Sequence, residues 1–498
     1  MSKPISFGKI EVNIVSTMEK THGVPEPETP FRIAIFGDFS GRTNQDIIDP
    51  ALDNRRPLLV DRDNLDEVLT KLKVEIKLPI LGKESPPVTI GFSELDDFHP
   101  DSLYERLEIF GALRETRKGI KDPSTFAALT KQLKRADKPS ESGTPPKEVL
   151  EETQEKAPKT ELSRGTSEWN NFLNKIVKPH LVPDIEPQQA KMLDAVDAAT
   201  SELMQRILHH ADFQEIESAW RGVHFLVSGL ETDEQLKLYL LDISKAELAA
   251  DLGSKEDLRS TGIYKLLAEQ TVETFGGEPW AVLAGNYIFD NSHEDTELLG
   301  RIAKIAKASG APFISSVSDK VLGCESLAET PNPDDWQRLY EAKESQAWQA
   351  LRKLPEAAYL GLALPRFMLR LPYGADTDPA EQFEFEEMPS EPDHNYYLWG
   401  NPSFACVYLL AQAFTHHGWN FRPGVIQDIE GLPLYIYKEK GESRVKPCAE
   451  VVLTERAAEI ILDKGIMPLL CFRNQDIILL ARFQSIADPL ACLVGRWS

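Results

Sequence analysis

Between residues 10 and 15 apolar and polar side chains alternate, with Ile10, Val12 and Ile14 set against Glu11 and Asn13. That period of two predicts a half-buried strand. Residues 16–30, rich in Thr, Glu and Pro, follow as a tether. A strand on such an arm must find partners for its backbone groups. Two destinations would supply them: its own domain, or the sheet of a neighbouring molecule.

Residues 31–36 (Phe31-Arg32-Ile33-Ala34-Ile35-Phe36) predict a strand that runs into Gly37-Asp38-Phe39-Ser40-Gly41. Val74, Ile76, Leu78 and Ile80 alternate with Glu75, Lys77 and Pro79, and Val88, Ile90 and Phe92 repeat the alternation, which predicts a hairpin. From Ser102, expected as an N-cap, Leu103, Leu107, Phe110 and Leu113 follow helical spacing. Residues 31–133 are thus expected to form a small α/β unit behind the arm of residues 1–30. Residues 134–168 carry no aromatic side chain and many Lys, Glu, Pro, Ser and Thr, a linker composition that marks the clearest domain boundary.

The remainder, 169–498, opens with a helical stripe of Leu193, Val196, Leu203 and Ile207, followed by Phe213 and Trp220. Leu236, Leu238, Leu240 and Ile243 predict a strand. Residues 279–287 and 312–317 are short apolar runs suited to buried strands, with a helix through Leu298, Ile302 and Ile305 between them. Strand, helix, strand in so short a span is a βαβ unit with a parallel pair. Further strands are expected within 359–368, a helix over 404–414, and a helix from Thr454 that stops at Gly465. A closing hairpin pairs 467–472 with 477–483. The fold class is α/β, in a mixed α+β sense, with two units joined by a linker.

Composition narrows the function. A formal net charge of −24 argues against nucleic acid and against anionic lipid as partners. The five cysteines, Cys324, Cys406, Cys448, Cys471 and Cys492, form no C-x-x-C pair, so neither a zinc site nor a disulfide framework is expected and a reducing cytoplasm fits. The N-terminus has no apolar segment of signal-peptide length.

Catalytic and cofactor motifs are not found. Residues 37–43 superficially suggest a phosphate loop but lack its spacing and its lysine, so a turn with structural glycines is expected. Asp376-Thr377-Asp378 is expected to be an Asx turn. The pairs His209-His210 and His416-His417 suit helix ends better than metal ligation, because adjacent helical residues point about 100° apart. Glu384, Glu386 and Glu387, interleaved with Phe383 and Phe385, are expected on a solvated loop or an interface rim. Trp220 is expected in the core. No enzyme, cofactor or metal site is expected.

Ordered phrases carry a resemblance. The strand at 31–36 with Gly37-Asp38-Phe39-Ser40-Gly41, and later Asp96-Asp97-Phe98-His99-Pro100-Asp101, resembles the small sheath protein of type VI secretion, the TssB family, over about 7–135. The large sheath protein, the TssC family, is echoed over about 165–495. Its phrases include His209-His210-Ala211-Asp212-Phe213-Gln214, Glu217-Ser218-Ala219-Trp220-Arg221-Gly222, Thr274-Phe275-Gly276-Gly277-Glu278-Pro279, Leu364-Pro365-Arg366-Phe367 and Tyr397-Leu398-Trp399-Gly400-Asn401. The resemblance marks Gly37, Asp38, Phe39, Trp220, Arg221, Gly276, Gly277, Pro365, Arg366 and Trp399 as structural family residues.

It implies a bacterial cytoplasmic contractile sheath of small–large pairs around an Hcp-like inner tube, assembled on a baseplate and recycled by the ClpV unfoldase. Subunits of such a sheath exchange strands, which makes Ile10, Val12 and Ile14 the candidate exchange surface. Two departures stand out. The large family protein continues beyond the closing hairpin, whereas this chain stops at Ser498, which suggests an accessory or capping role as the alternative. In the linker, only Glu148-Val149-Leu150-Glu151 hints at the family's unfoldase-binding helix.

Overall fold

The computed structural model describes residues 5–10, 25–82, 85–122, 185–336, 342–389, 393–439 and 441–497. They divide into two compact units, one of Met1–His99, Leu208–Tyr373 and Met388–Ser498, the other of Pro100–Ile207 and Gly374–Glu387. The linker expected at 134–168 lies outside the described residues, as do Val12 and Ile14.

In the larger unit strand β1 (Phe31–Gly37) forms where the sequence expects it. It is followed by β2 (Leu58–Val60), helix α1 (Leu65–Leu72) and the antiparallel hairpin of β3 (Val74–Leu78) with β4 (Val88–Phe92). The partners of β1 are the unexpected part. It runs parallel to β5 (Leu236–Asp242) along its whole length, Phe31 opposite Leu236 and Gly37 opposite Asp242. Its other edge pairs in parallel with β6 (Val282–Phe289), Ile33 opposite Val282. Among the described residues the segment ahead of the linker therefore has no main sheet of its own; it lends β1 and β2 to a sheet whose other strands come from the segment behind it. Ile33, Ala34 and Ile35 are fully buried, as a central parallel strand covered on both faces requires.

The sheet continues through β7 (Phe313–Val317) and β8 (Leu360–Leu364) to β10 (Met467–Cys471), all parallel, and then antiparallel to β11 (Ile478–Leu480) and β9 (Asp428–Ile429). On the far edge β2 pairs antiparallel with β5, which makes nine strands. The expected βαβ unit is β6, a helix over His293–Ser309, and β7.

Helices cover both faces. On one, Ala34, Phe36, Leu241, Leu283 and Phe313 share a core with Leu248 and Leu252 of the helix Lys245–Gly253 and with Leu299 and Ile302 of His293–Ser309. On the other, Phe31 stacks on Phe414 of the helix Pro402–His417 at 4.7 Å, beside Trp419 and Phe421. The helix Glu455–Asp463 is capped by Thr454, and Gly465 at φ +79° ends it as expected.

The start of the arm rests on its own chain. The Lys9 amide donates to the Glu256 carbonyl at 2.8 Å, and the Leu258 amide donates to the Lys9 carbonyl at 2.8 Å. Ile10, expected on a donated strand, packs half-buried against the core of its own molecule.

The smaller unit is helical: α2 (Pro100–Arg106), α3 (Gly111–Lys121) and α4 (Ile185–Leu208). The expected single helix capped by Ser102 is corrected here. Pro100 opens the helix, its missing N–H being one that the first turn leaves unbonded anyway, and a 3-10 turn at Glu108–Phe110 breaks it. Arg117 grips Asp197 with two hydrogen bonds, at 2.6 and 3.2 Å. Phe383 packs 4.8 Å from Tyr104, and Phe385 is buried too. The loop expectation for the carboxylates holds for Glu384 and Glu386, which are exposed, but Glu387 is buried.

Candidate functional site

The turn after β1 is built from its own side chains. The Asp38 carboxylate accepts the amides of Gly41 and Arg42 at 2.9 Å each and that of Thr43 at 2.6 Å. Asp242, at the end of β5, accepts the amides of Phe39 and Ser40 at 2.9 and 3.2 Å and the Ser40 hydroxyl at 2.9 Å. Five successive amides are thus occupied by carboxylates, so the turn offers no cradle for phosphate. Gly41, at φ +79°, has the Glu75 carbonyl 2.5 Å from where a Cβ would stand.

Arg42 completes the joint. Its guanidinium pairs with Asp242, and it donates to Glu247 at 2.9 and 3.1 Å. Glu247, fully buried, also accepts from Arg55 at 3.0 Å and from the Ser244 amide at 2.9 Å. Burial alone would raise the Glu247 carboxyl, yet hydrogen bonds from Arg42, Ser244 and Asp49 hold it below the usual range. Buried charges persist when paired and fully hydrogen-bonded, as here.

A second joint sits on the helix α5 (Ala211–Gly229). Trp220 is fully buried, donates from Nε1 to the Phe39 carbonyl at 2.9 Å and meets the Phe39 ring edge-on at 5.7 Å. On the next turn Glu217, also fully buried, takes a bidentate pair from Arg370 at 2.7 and 3.0 Å and a third bond from Arg221 at 2.7 Å. Arg221 continues to the Tyr373 hydroxyl at 2.8 Å. Burial pushes the Glu217 carboxyl up, but Arg370 and Arg221 outweigh it and keep it ionised.

Arg366 and Trp399 belong to a third cluster. Arg366 pairs with Glu450, which also meets His394 Nε2 at 3.3 Å. Lys446 lies 3.1 Å from His394 Nδ1 and over the Tyr397 and Trp399 rings. Burial opposes ionisation of Glu450, but His394 and Arg366 bring its carboxyl down from 4.5 to about 2.

Between these joints a cavity of about 920 Å³ opens at the carboxyl ends of β1 and β6, where open α/β sheets bind ligands. Asp38, His209, Arg366 and Trp399 all line it, so four of the phrases singled out from sequence converge. His209 stacks flat on Tyr396 at 3.8 Å, and burial beside Arg370 pushes its imidazole down to about 4. Among the described residues no group of three or more His, Cys, Asp or Glu is placed to hold a metal. Gly276 and Gly277 stand apart, in the loop that leads into β6. Pro365 follows β8, one residue before Arg366.

Sequence reasoning gave no individual role to Arg42, Asp242, Glu247, Arg370 or Glu450. Its one usable signal was Asp242, a carboxylate closing the apolar run Leu236–Asp242.

Two family models and a curated protein match the chain. Residues 190–487 match the model of the VipB family, the EvpB-type tail sheath N-terminal domain. The chain belongs to the VipB tail-sheath family. Residues 8–138 match VipA of the type VI secretion system, so this VipB-family chain carries both sheath-type segments, the TssB-like one ahead of the TssC-like one. It is 40% identical over 306 residues to the type VI secretion system sheath protein TssC1 of Pseudomonas aeruginosa, covering 60% of this chain and 61% of that protein. The chain thus spans about three-fifths of the curated relative's length. Within the VipB-family frame, the Asp38 turn, Trp220 and Arg42 lie where the VipA-like segment meets the VipB-like one. No described helix is long and apolar enough to cross a membrane.

Proposed function

We propose that this protein is a structural subunit of a type VI secretion contractile sheath, in which one chain supplies what two usually supply. One observation carries the reading. β1, from the VipA-like segment, is a central strand, buried at every position but Arg32, between β5 and β6 of the VipB-like segment. Neither segment completes the sheet without the other, and fusion fixes their ratio at one to one and raises their local concentration. Subunits then join by strand exchange, to which the segment around Val12 and Ile14 contributes. The assembled sheath surrounds an Hcp-like tube in the bacterial cytoplasm, rises from a baseplate and contracts to drive the tube out. The work comes from conformational free energy held between subunits, and no bond chemistry is asked of the cavity.

Electron microscopy of the purified full-length chain tests this. Hollow helical tubes, formed alone or with its inner-tube protein, are expected. A species that stays monomeric at every concentration and never co-sediments with sheath or tube proteins would overturn the reading.

A further inference from the structure

Phe275 is wholly exposed, at 102%, whereas the next most exposed large apolar side chain among the described residues, Ile436, is at 62%. The loop that carries it is shaped to present it. The Gly277 amide donates to the Thr274 carbonyl at 3.0 Å, and the Thr274 hydroxyl donates to the Glu269 carbonyl at 2.6 Å. Gly276 takes φ +77°, and a Cβ on Gly277 would collide with the Thr271 carbonyl, so both positions need glycine. The neighbouring charges are neutralised in place. Glu278 pairs with Arg32 at 3.4 Å, and Glu273 pairs with Arg259 at 3.2 Å and accepts from the Tyr264 hydroxyl at 2.6 Å. The result is an apolar knob within a collar of balanced charge.

The loop enters β6 at its amino end, where the Ala281 amide donates to the Arg32 carbonyl at 2.8 Å. The 920 Å³ cavity opens at the opposite end of the same strands, beside Asn286, Tyr287 and Ile288, where the register of β6 shifts. Four to six residue steps of extended strand, from Val282 to Asn286–Ile288, separate the two by about 13–20 Å. The cavity has an apolar wall of Ala246, Ala249, Ile288, Leu298, Tyr396 and Trp399. Its cations already have partners, Lys245 with Asp295 at 2.7 Å and Arg366 with Glu450. Glu294 also lines it and is exposed, whereas burial, with Asp38 and Asp212 nearby, pushes the Glu215 carboxyl up toward its neutral form. A neutral aromatic side chain can lie along the apolar wall without breaking either ion pair.

We infer that Phe275 of one copy seats in this cavity of the next copy. A knob and a socket at opposite ends of one sheet make a head-to-tail contact, which propagates into an open helix instead of closing as a dimer. The contact rests on the sheath reading above and names an interface within it.

Two measurements test the inference. Phe275→Ala removes only an exposed side chain, so its melting curve should match the parent's while the concentration needed to sediment polymer rises tenfold or more. In a Cys492→Ser background, which removes the one exposed thiol among the five cysteines, Phe275→Cys with Ala249→Cys should give a ladder of disulfide-linked dimers, trimers and longer species on oxidation. Phe275→Cys alone should stop at dimers. If polymer forms but Phe275→Ala polymerises like the parent, or the double variant yields nothing beyond the single one, the knob-and-socket contact is wrong and the sheath reading survives. If the parent never polymerises, both fail.

Discussion

Glu450 shows what single residues contribute here. Its folded carboxyl lies near 2 against 4.5 for an ordinary glutamate, because His394 and Arg366 offset the burial that opposes its charge. A depressed carboxyl stabilises the fold fully above about pH 4.5 and loses that contribution as the pH falls toward 2. The shift corresponds to about 3 kcal/mol. Glu450→Gln keeps the shape and an acceptor for the Arg366 amide, so urea midpoints should place it about 3 kcal/mol below the parent at pH 7, with the gap closing toward pH 2. A gap that does not change with pH would contradict the ion pair. His209, held near 4, acts in the same direction in both proteins, since the folded state refuses a proton that an unfolded imidazole takes near 6.5. Neither role was legible from sequence. A buried glutamate and a solvated one are the same letter, and the partners of Glu450 stand 56 and 84 positions away.

At the scale of elements, periodicity located most strands and helices, including β1, the β3–β4 hairpin, the β6–helix–β7 unit and the closing hairpin. It could not say which strands pair. The run Phe31–Gly37 is apolar on both faces, and that pattern announces a central parallel strand without naming its neighbours some 200 residues on. Trp220 was legible as core, but its bond to the Phe39 carbonyl was not, because that contact exists only once the sheet has formed. Packing between α5 and the helix Pro402–His417 can be tested directly. A Cβ on Gly222 would stand 2.7 Å from two carbons of the buried Phe404 ring, whereas one on Gly253 would meet nothing within 4 Å. Gly222→Ala should therefore cost about 1–3 kcal/mol. Gly253→Ala, at a helix end, should be neutral or gain up to about 1 kcal/mol. Thermal melts of the pair check this, and equal effects would mean the two helices do not approach so closely.

At the scale of the whole molecule, composition marked a boundary at 134–168, while the family models cover 8–138 and 190–487. The sheet ignores that boundary. Sequence order separated the two segments because a linker is a local feature, whereas strand pairing across it is not. The central claim is that the VipA-like segment is an integral part of the VipB-like fold, held by β1, the Arg42 joint and Trp220. The most direct measurement is to place a specific protease site within 134–168, cut the folded full-length protein, and follow the products by size-exclusion chromatography without denaturant. The two fragments should co-elute as a one-to-one complex and separate only on unfolding. Fragments that part in native buffer, each still folded, would contradict the shared sheet.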